Sequence, residues 1–200
     1  MSDTVSSIST FQAGSAFQLK VGARGALIRA FFGSGAMYCG VVFSGTKNWP
    51  WFASVTVASA ALIAWAVRSI RATRPLRSSD DDMVRWRSVR TFYFLDFALE
   101  WAFIAAAFIA LVKFERVDLA PQVLGLIIGL HYLPLSRIFG LRQYAWTGCL
   151  LIAGALGSLF TPRGQSRNIV GFALLGSILW ATCAVILWSI SLVLRDQTAA

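Results

Sequence analysis

The stretch "TFYFLDFALEWAFIAAAFIALV", residues 91–112, indicates what kind of protein this is. Asp96 and Glu100 are its only acidic residues, and it contains no lysine or arginine. At about 1.5 Å per residue, a helix of this length is roughly 33 Å long, which spans the apolar core of a bilayer, about 30 Å thick. The stretch therefore predicts a membrane-spanning helix with two acids inside it.

The composition of the whole chain agrees with this interpretation. Of the 200 residues, 57% are hydrophobic and only 14% are charged, whereas soluble domains carry about 25% charged residues. We expect an all-α, six-transmembrane-helix bundle over residues 26–195, preceded by a cytoplasmic or interfacial segment over residues 1–25. The six apolar segments, separated by turn residues, are 26–44, 51–70, 91–112, 121–139, 144–160 and 169–194.

The net charge of +9 bears on partners and orientation. The basic residues flank the apolar segments and form no patch interleaved with aromatics, so we expect a lipid bilayer as the partner and no nucleic acid. Thirteen of the 18 lysines and arginines lie on the side that carries both termini and the loop 71–90. The positive-inside rule then places both termini in the cytoplasm, as in a multi-pass protein of the inner (plasma) membrane.

The cytoplasmic loop 71–90, "RATRPLRSSDDDMVRWRSVR", contains three consecutive acids at positions 80–82. An acidic metal or prenyl-diphosphate motif is one interpretation. A helix start is the stronger one, because Ser78 or Ser79 can cap the helix and the acids then lie at its positive end. We therefore expect one long helix that begins in this loop and continues through residues 91–112.

The stretch "LIIGLHYLPLSRIF", residues 126–139, holds the only histidine of the chain, His131. Counting about 1.5 Å per residue from the predicted span ends places both Glu100 and His131 near the bilayer midplane. Ionisable groups at that depth need a partner or a cavity. We therefore expect these two side chains to face each other on neighbouring antiparallel helices.

Two arginines are candidate partners for Asp96, which we expect closer to the cytoplasmic surface. Arg137 and Arg29 both belong to predicted span ends from which a guanidinium can also reach the head groups. Pro134 removes one backbone N–H and is expected to kink the helix beside His131. The candidates for proton exchange or substrate binding are Glu100, His131, Asp96, Arg137 and Arg29.

Sequence patterns typical of metal or cofactor sites are missing. There is no second histidine, and no HxxxH or ExxH pattern accompanies His131, so a metal site is disfavoured. No glycine-rich phosphate loop or dinucleotide fingerprint is present either. We expect no metal and no cofactor, and no motif assigns catalytic residues.

Gly125 and Gly129 form a GxxxG pattern inside the fourth segment. Small residues at this spacing let two membrane helices approach closely. Packing within the bundle is the first interpretation, and a homo-oligomer that uses this face is the alternative.

The stretch "GLHYLPLSRIFGLRQYAWTG", residues 129–148, resembles a motif of a group of small uncharacterised bacterial inner-membrane proteins, in which a helix reads like GLHFLPLARLF and a tyrosine and a T-G pair follow. Tyr132 stands where that group usually has phenylalanine, and Ser136 where it has alanine. The resemblance implies a bacterial inner-membrane helix bundle and gives weight to His131, Pro134 and Arg137. It implies no activity.

Three functions are compatible with these features. The first is a small proton-linked permease or carrier of a small molecule, in which Glu100 and His131 exchange protons. The second is a non-catalytic membrane scaffold or assembly subunit, in which the polar cluster only holds helices together. The third is an intramembrane enzyme on a lipid or isoprenoid substrate, with Glu100 or Asp96 as general acid.

Overall fold

The computed structural model describes residues 15–45 and 49–199. Over those residues the chain forms six α-helices and one short 3₁₀ turn, and no strand. Five of these helical stretches are long and apolar enough to cross a membrane, so the prediction of an all-α, multi-pass membrane fold is confirmed at that level. The helices are α1 (Ala16–Phe43), α2 (Trp49–Thr73), α3 (Asp80–Lys113), α4 (Ala120–Phe139, preceded by the 3₁₀ turn Val117–Leu119), α5 (Arg142–Ser158) and α6 (Gln165–Ala199).

Helix α1 begins ten residues before the span that the sequence predicts. Ser15 and Gln18 form a reciprocal cap, in which the backbone N–H of each donates to the side-chain oxygen of the other, both at 3.3 Å. This arrangement satisfies two of the free N–H groups at a helix start. Arg29 therefore lies in the middle of a 28-residue helix and is fully buried among other helices. The expectation that its guanidinium can reach the head groups was wrong. Residues 1–14 of the predicted N-terminal segment lie outside the described residues.

Helix α3 begins at the acidic stretch of the loop, as the sequence predicts. The backbone N–H of Asp82 donates to the Ser79 hydroxyl at 3.1 Å, and the backbone N–H of Ser79 donates to the Asp82 carboxylate at 3.4 Å. The helix then runs for 34 residues without a break. The three acids thus lie at the positive end of the helix dipole, where carboxylates are stabilising.

The bundle is built around the antiparallel pair α1 and α6. Three glycines of α1 lie against α6 in reverse order along that helix, with Gly22 beside Ile190, Gly33 beside Leu179 and Gly40 beside Phe172. Helix α2 packs against the outside of α1, and α5 packs between α4 and α6. Helix α3 packs chiefly against α4 and lies at the edge of the bundle.

One end of the bundle gathers the starts of α1, α3 and α5. There Phe17 of α1 contacts Trp86 of α3, with ring centroids 6.0 Å apart, and Trp86 stacks on Phe139 of α4 at 6.3 Å. We call this the N-terminal end of the bundle. It is the end that carries most of the basic residues, including the turn between α2 and α3.

Helices α4 and α5 are in backbone contact through the glycines of the GxxxG stretch. A Cβ on Gly148 would lie only 2.6 Å from the carbonyl oxygen of Gly129, and one on Gly125 would lie 3.0 Å from the Cβ of Ala155. Contacts this close leave no space for a side chain. Packing within the bundle accounts for the GxxxG pattern.

Gly148→Ala should weaken the bundle, because the added methyl group forces α4 and α5 apart. We expect a loss of about 1–3 kcal/mol in the free energy of unfolding, measured by denaturant titration in mixed micelles. Gly157→Ala is the matched control on the same helix, since no atom lies within 4 Å of its added Cβ. Equal losses in the two variants would contradict the packing argument.

Candidate intramembrane site

His131 lies between two carboxylates of α3. Its Nδ1 is 2.9 Å from Asp96 Oδ2, and its Nε2 is 3.4 Å from Glu100 Oε2. Asp96 and Glu100 are four residues apart, so they occupy one face of α3 on successive turns. The structure thus brings together Glu100 and His131, which the sequence placed at equal depth, and adds Asp96. We call Asp96, His131 and Glu100 the Asp–His–Glu cluster.

Contacts within the cluster join oppositely charged or chargeable groups. Asp96 Oδ2 and His131 Nδ1 meet at the distance of an ion pair. Both atoms are buried. Only 10% of the His131 side chain and 13% of the Glu100 side chain is exposed.

The two arginines expected as partners of Asp96 lie elsewhere. Arg137 is exposed in the last turn of α4, about 120° around the helix from His131. Neither Arg137 nor Arg29 forms an ion pair with any part of the chain that the structure describes. The prediction that one of them pairs with Asp96 was wrong, because the imidazole already occupies that carboxylate. Helix α4 continues through Pro134 to Phe139.

Arg29 is the most deeply buried cation of the described chain, with 0% of its surface exposed. Its guanidinium carbon lies 4.6 Å above the ring of Tyr132 and 4.2 Å above the ring of Tyr144. None of its three side-chain nitrogens has a hydrogen-bond partner among the described residues. Two cation–π contacts stabilise this charge in place of a carboxylate. The absence of a side chain at Gly25 leaves the space that the Tyr144 hydroxyl occupies.

A cavity of about 500 Å³ opens between α1, α3 and α4. It extends from Ser78 and Met83 at the N-terminal end of the bundle to Ile104, and Glu100 and His131 form part of its wall. Most of the remaining wall is aromatic or aliphatic. The cavity exists because α3 packs chiefly against α4 and leaves a gap toward α1. It gives a small molecule a path from one end of the bundle to the cluster.

Sequence reasoning did not identify as site residues several polar residues that line this cavity, among them Lys20, Arg24, Tyr132 and Tyr144. Lys20 and Arg24 were interpreted as part of the basic segment that precedes the first membrane-spanning helix. The Ser15–Gln18 capping pattern was the signal that would have placed them on α1. Stacking of two tyrosines on Arg29 depends on the packing of three helices and has no local sequence signal.

Metal binding is not indicated by the arrangement of ligand-type side chains. Across residues 15–45 and 49–199, no group of three or more histidine, cysteine or acidic side chains has the geometry to hold a metal ion. The cluster has one imidazole inserted between its carboxylates, so these groups point at each other and leave no shared centre. Proton exchange is the chemistry that they can perform as arranged.

Comparison with protein-family models, with curated proteins and with solved structures finds no match to this chain in any of the three. The resemblance of residues 129–148 to small bacterial inner-membrane proteins therefore stays a prediction. Function has to be argued from the site itself, which is in any case the stronger basis, because one fold serves many functions.

The cluster predicts energetic coupling between Glu100 and His131. In a double-mutant cycle of Glu100→Gln and His131→Gln, we expect an interaction free energy of about 0.5–3 kcal/mol, as is typical of contacting residues. The measurement is the free energy of unfolding of the four proteins in mixed micelles. A cycle of Glu100→Gln and Arg137→Gln is the control and should be additive. Additivity in the first cycle would show that the two groups do not interact.

Proposed function

We propose that this protein is a small proton-linked carrier that binds an amphipathic molecule in the cavity and exchanges protons at the Asp–His–Glu cluster. The observation that carries the proposal is the cavity wall: Glu100 and His131 line the same space that reaches the N-terminal end of the bundle. A cluster that only held helices together would be enclosed in a packed core. The mostly apolar wall favours a cargo with a large apolar part over a sugar or an ion.

Coupling between cargo and protons follows from the charge of the cluster. Two carboxylates and one imidazole can hold between zero and three protons, and each proton changes the charge facing the cavity by one unit. A charged cargo therefore binds with a different affinity to each protonation state, and the linkage is reciprocal. Binding the cargo and taking up or releasing a proton become one coupled event.

The proposed topology has six membrane-spanning helices: the five that are long and apolar enough to cross a membrane, and α5 as the sixth. Helix α5 has 17 residues, which makes it about 26 Å long and slightly shorter than the apolar core of a bilayer. Such a mismatch costs little and is met by local thinning. The N-terminal end of the bundle, rich in lysine and arginine, would face the cytoplasm of a bacterial cell with both termini.

An intramembrane enzyme acting on a lipid or isoprenoid substrate is the second candidate. It is favoured by one observation, the position of the Glu100 carboxyl group on the wall of a mostly apolar cavity. In that case Glu100 would act as general acid toward an apolar substrate. Conversion of a lipid extract by the native protein but not by Glu100→Gln, with no transport, would favour the enzyme over the carrier.

Cysteine labelling tests whether α5 crosses the membrane. Arg142 and Arg163 are exposed residues that flank α5 at its two ends, so Arg142→Cys and Arg163→Cys form a matched pair in a cysteine-free background. In intact cells, a membrane-impermeant maleimide should label the Arg163→Cys variant at once and the Arg142→Cys variant only after the cells are broken. Labelling of both from the same side would exclude this crossing.

Transport is tested with three probes that share an octyl chain and differ in head group: octanesulfonate, octyltrimethylammonium and octyl glucoside. Proteoliposomes with an imposed pH gradient should accumulate at least one labelled probe. Accumulation should fall to the level of protein-free liposomes in Glu100→Gln and in His131→Ala. Arg137→Gln, which lies outside the cavity wall, should transport normally. Probe accumulation that does not depend on the pH gradient would contradict a proton-linked carrier. So would accumulation that is unchanged in both Glu100→Gln and His131→Ala.

A further inference from the structure

We propose that the ligand of the cavity is an amphipathic anion, in which a single apolar chain carries a carboxylate, sulfonate or phosphate head group. The inference rests on the proposed function in using the same cavity. The new elements are the negative charge of the ligand and its orientation in the cavity, that is, which end of the cavity its head group occupies. Three observations on α1 and its neighbours carry it.

The first observation is a pair of cations without counter-ions. Lys20 and Arg24 line the cavity near the N-terminal end of the bundle, one turn apart on the same face of α1. Neither forms an ion pair within the described residues. Glu100, the acid on the cavity wall, is already paired with His131. The acids at the start of α3, Asp80 to Asp82, are not part of the cavity wall. The charges on the wall without an ion pair are therefore positive, which favours an anionic head group there.

The second observation is the buried Arg29. Gly25 lines the cavity, and a Cβ on Gly25 would lie 3.1 Å from Nη1 of Arg29. The Arg29 guanidinium thus lies directly behind the cavity wall. The two tyrosines whose rings it stacks on, Tyr132 and Tyr144, are themselves part of that wall. A fully buried cation without an ion pair is costly. An anion in this part of the cavity, beyond the Tyr144 hydroxyl that fills the space beside Gly25, would add the anionic counter-charge that Arg29 lacks among the described residues.

The third observation is the apolar wall beyond these cations. Ile28 and Phe32 of α1 and Phe97 and Trp101 of α3 line this part of the cavity. The rings of Phe32 and Trp101 are in contact, with centroids 6.3 Å apart. From Arg24 to Phe32 the helix rises about 12 Å, enough for a chain of about eight carbons. The volume of about 500 Å³ is in the range of sites for one small ligand. The head group would lie at Lys20 and Arg24, and the chain would pass the Asp–His–Glu cluster.

Equilibrium dialysis tests the charge of the ligand. The full-length protein in phosphatidylcholine nanodiscs is dialysed against labelled octanesulfonate, octyltrimethylammonium or octyl glucoside, with protein-free nanodiscs as the blank. Octanesulfonate should bind about tenfold more tightly than either of the others, as expected for one charge-assisted contact. Equal affinity for octanesulfonate and octyltrimethylammonium would overturn the proposal.

Variants test the individual cations. Lys20→Gln, Arg24→Gln and Arg29→Met should each weaken octanesulfonate binding about tenfold and leave octyl glucoside binding unchanged. Arg137→Gln is the matched control, since it removes an exposed cation at the same end of the bundle but outside the cavity wall. If Arg29→Met is folded and binds octanesulfonate as tightly as the native protein, the role given to Arg29 is wrong. If Lys20→Gln and Arg24→Gln also bind normally, the whole site is wrong.

A further arm distinguishes a free amphipath from a membrane lipid as the source of the anion. Nanodiscs containing phosphatidylglycerol are compared with neutral ones in about 0.3 M salt, where surface repulsion is screened. Loss of octanesulfonate binding would identify a lipid head group as the competing ligand, and undiminished binding would identify a free single-chain anion. Anion binding without pH-driven accumulation would support this inference and contradict the carrier.

Discussion

A charged side chain in the apolar core of a bilayer needs its counter-charge within the protein, because no water is there to solvate it. Two groups in this chain meet that constraint in different ways. His131 lies between Asp96 and Glu100, so one imidazole serves two carboxylates on the neighbouring helix. Arg29 has no carboxylate beside it among the described residues and lies instead on the faces of Tyr132 and Tyr144. These contacts fix how α3 and α1 are placed relative to α4.

The cavity is a consequence of that placement. Helix α3 packs against α4, where the cluster lies, and packs much less against α1, so a space extends along α1 from the N-terminal end of the bundle to Glu100. Two charge arrangements face each other across it. On one side, Asp96 and Glu100 of α3 are paired with His131 of α4. On the other, Lys20, Arg24 and Arg29 of α1 form no ion pair within residues 15–45 and 49–199. In a protein that serves only as a scaffold, larger side chains could fill this gap and stabilise the bundle. A ligand-binding site requires the gap to stay open.

Much of the fold follows from the sequence, since apolar segment length and turn residues locate helices in a bilayer well. The Ser79 cap and the equal depth of Glu100 and His131 could also be worked out from spacing alone. The start of α1 was missed because Lys20 and Arg24 were interpreted as a flank, although the Ser15–Gln18 pattern indicates a helix start. The rings around Arg29 and the bridging position of His131 depend on how three helices pack, which spacing along one helix does not determine.

The imidazole of His131 is held between Asp96 and Glu100, on helices long and apolar enough to cross a membrane. Because His131 is the only histidine of the chain, ¹⁵N labelling of histidine gives NMR signals from this residue alone, with the protein in nanodiscs. We expect Asp96→Asn to shift chiefly the Nδ1 resonance and Glu100→Gln chiefly the Nε2 resonance, while Arg137→Gln should shift neither. Two nitrogen resonances that match free histidine in solution and respond to neither acidic substitution would contradict this position of His131.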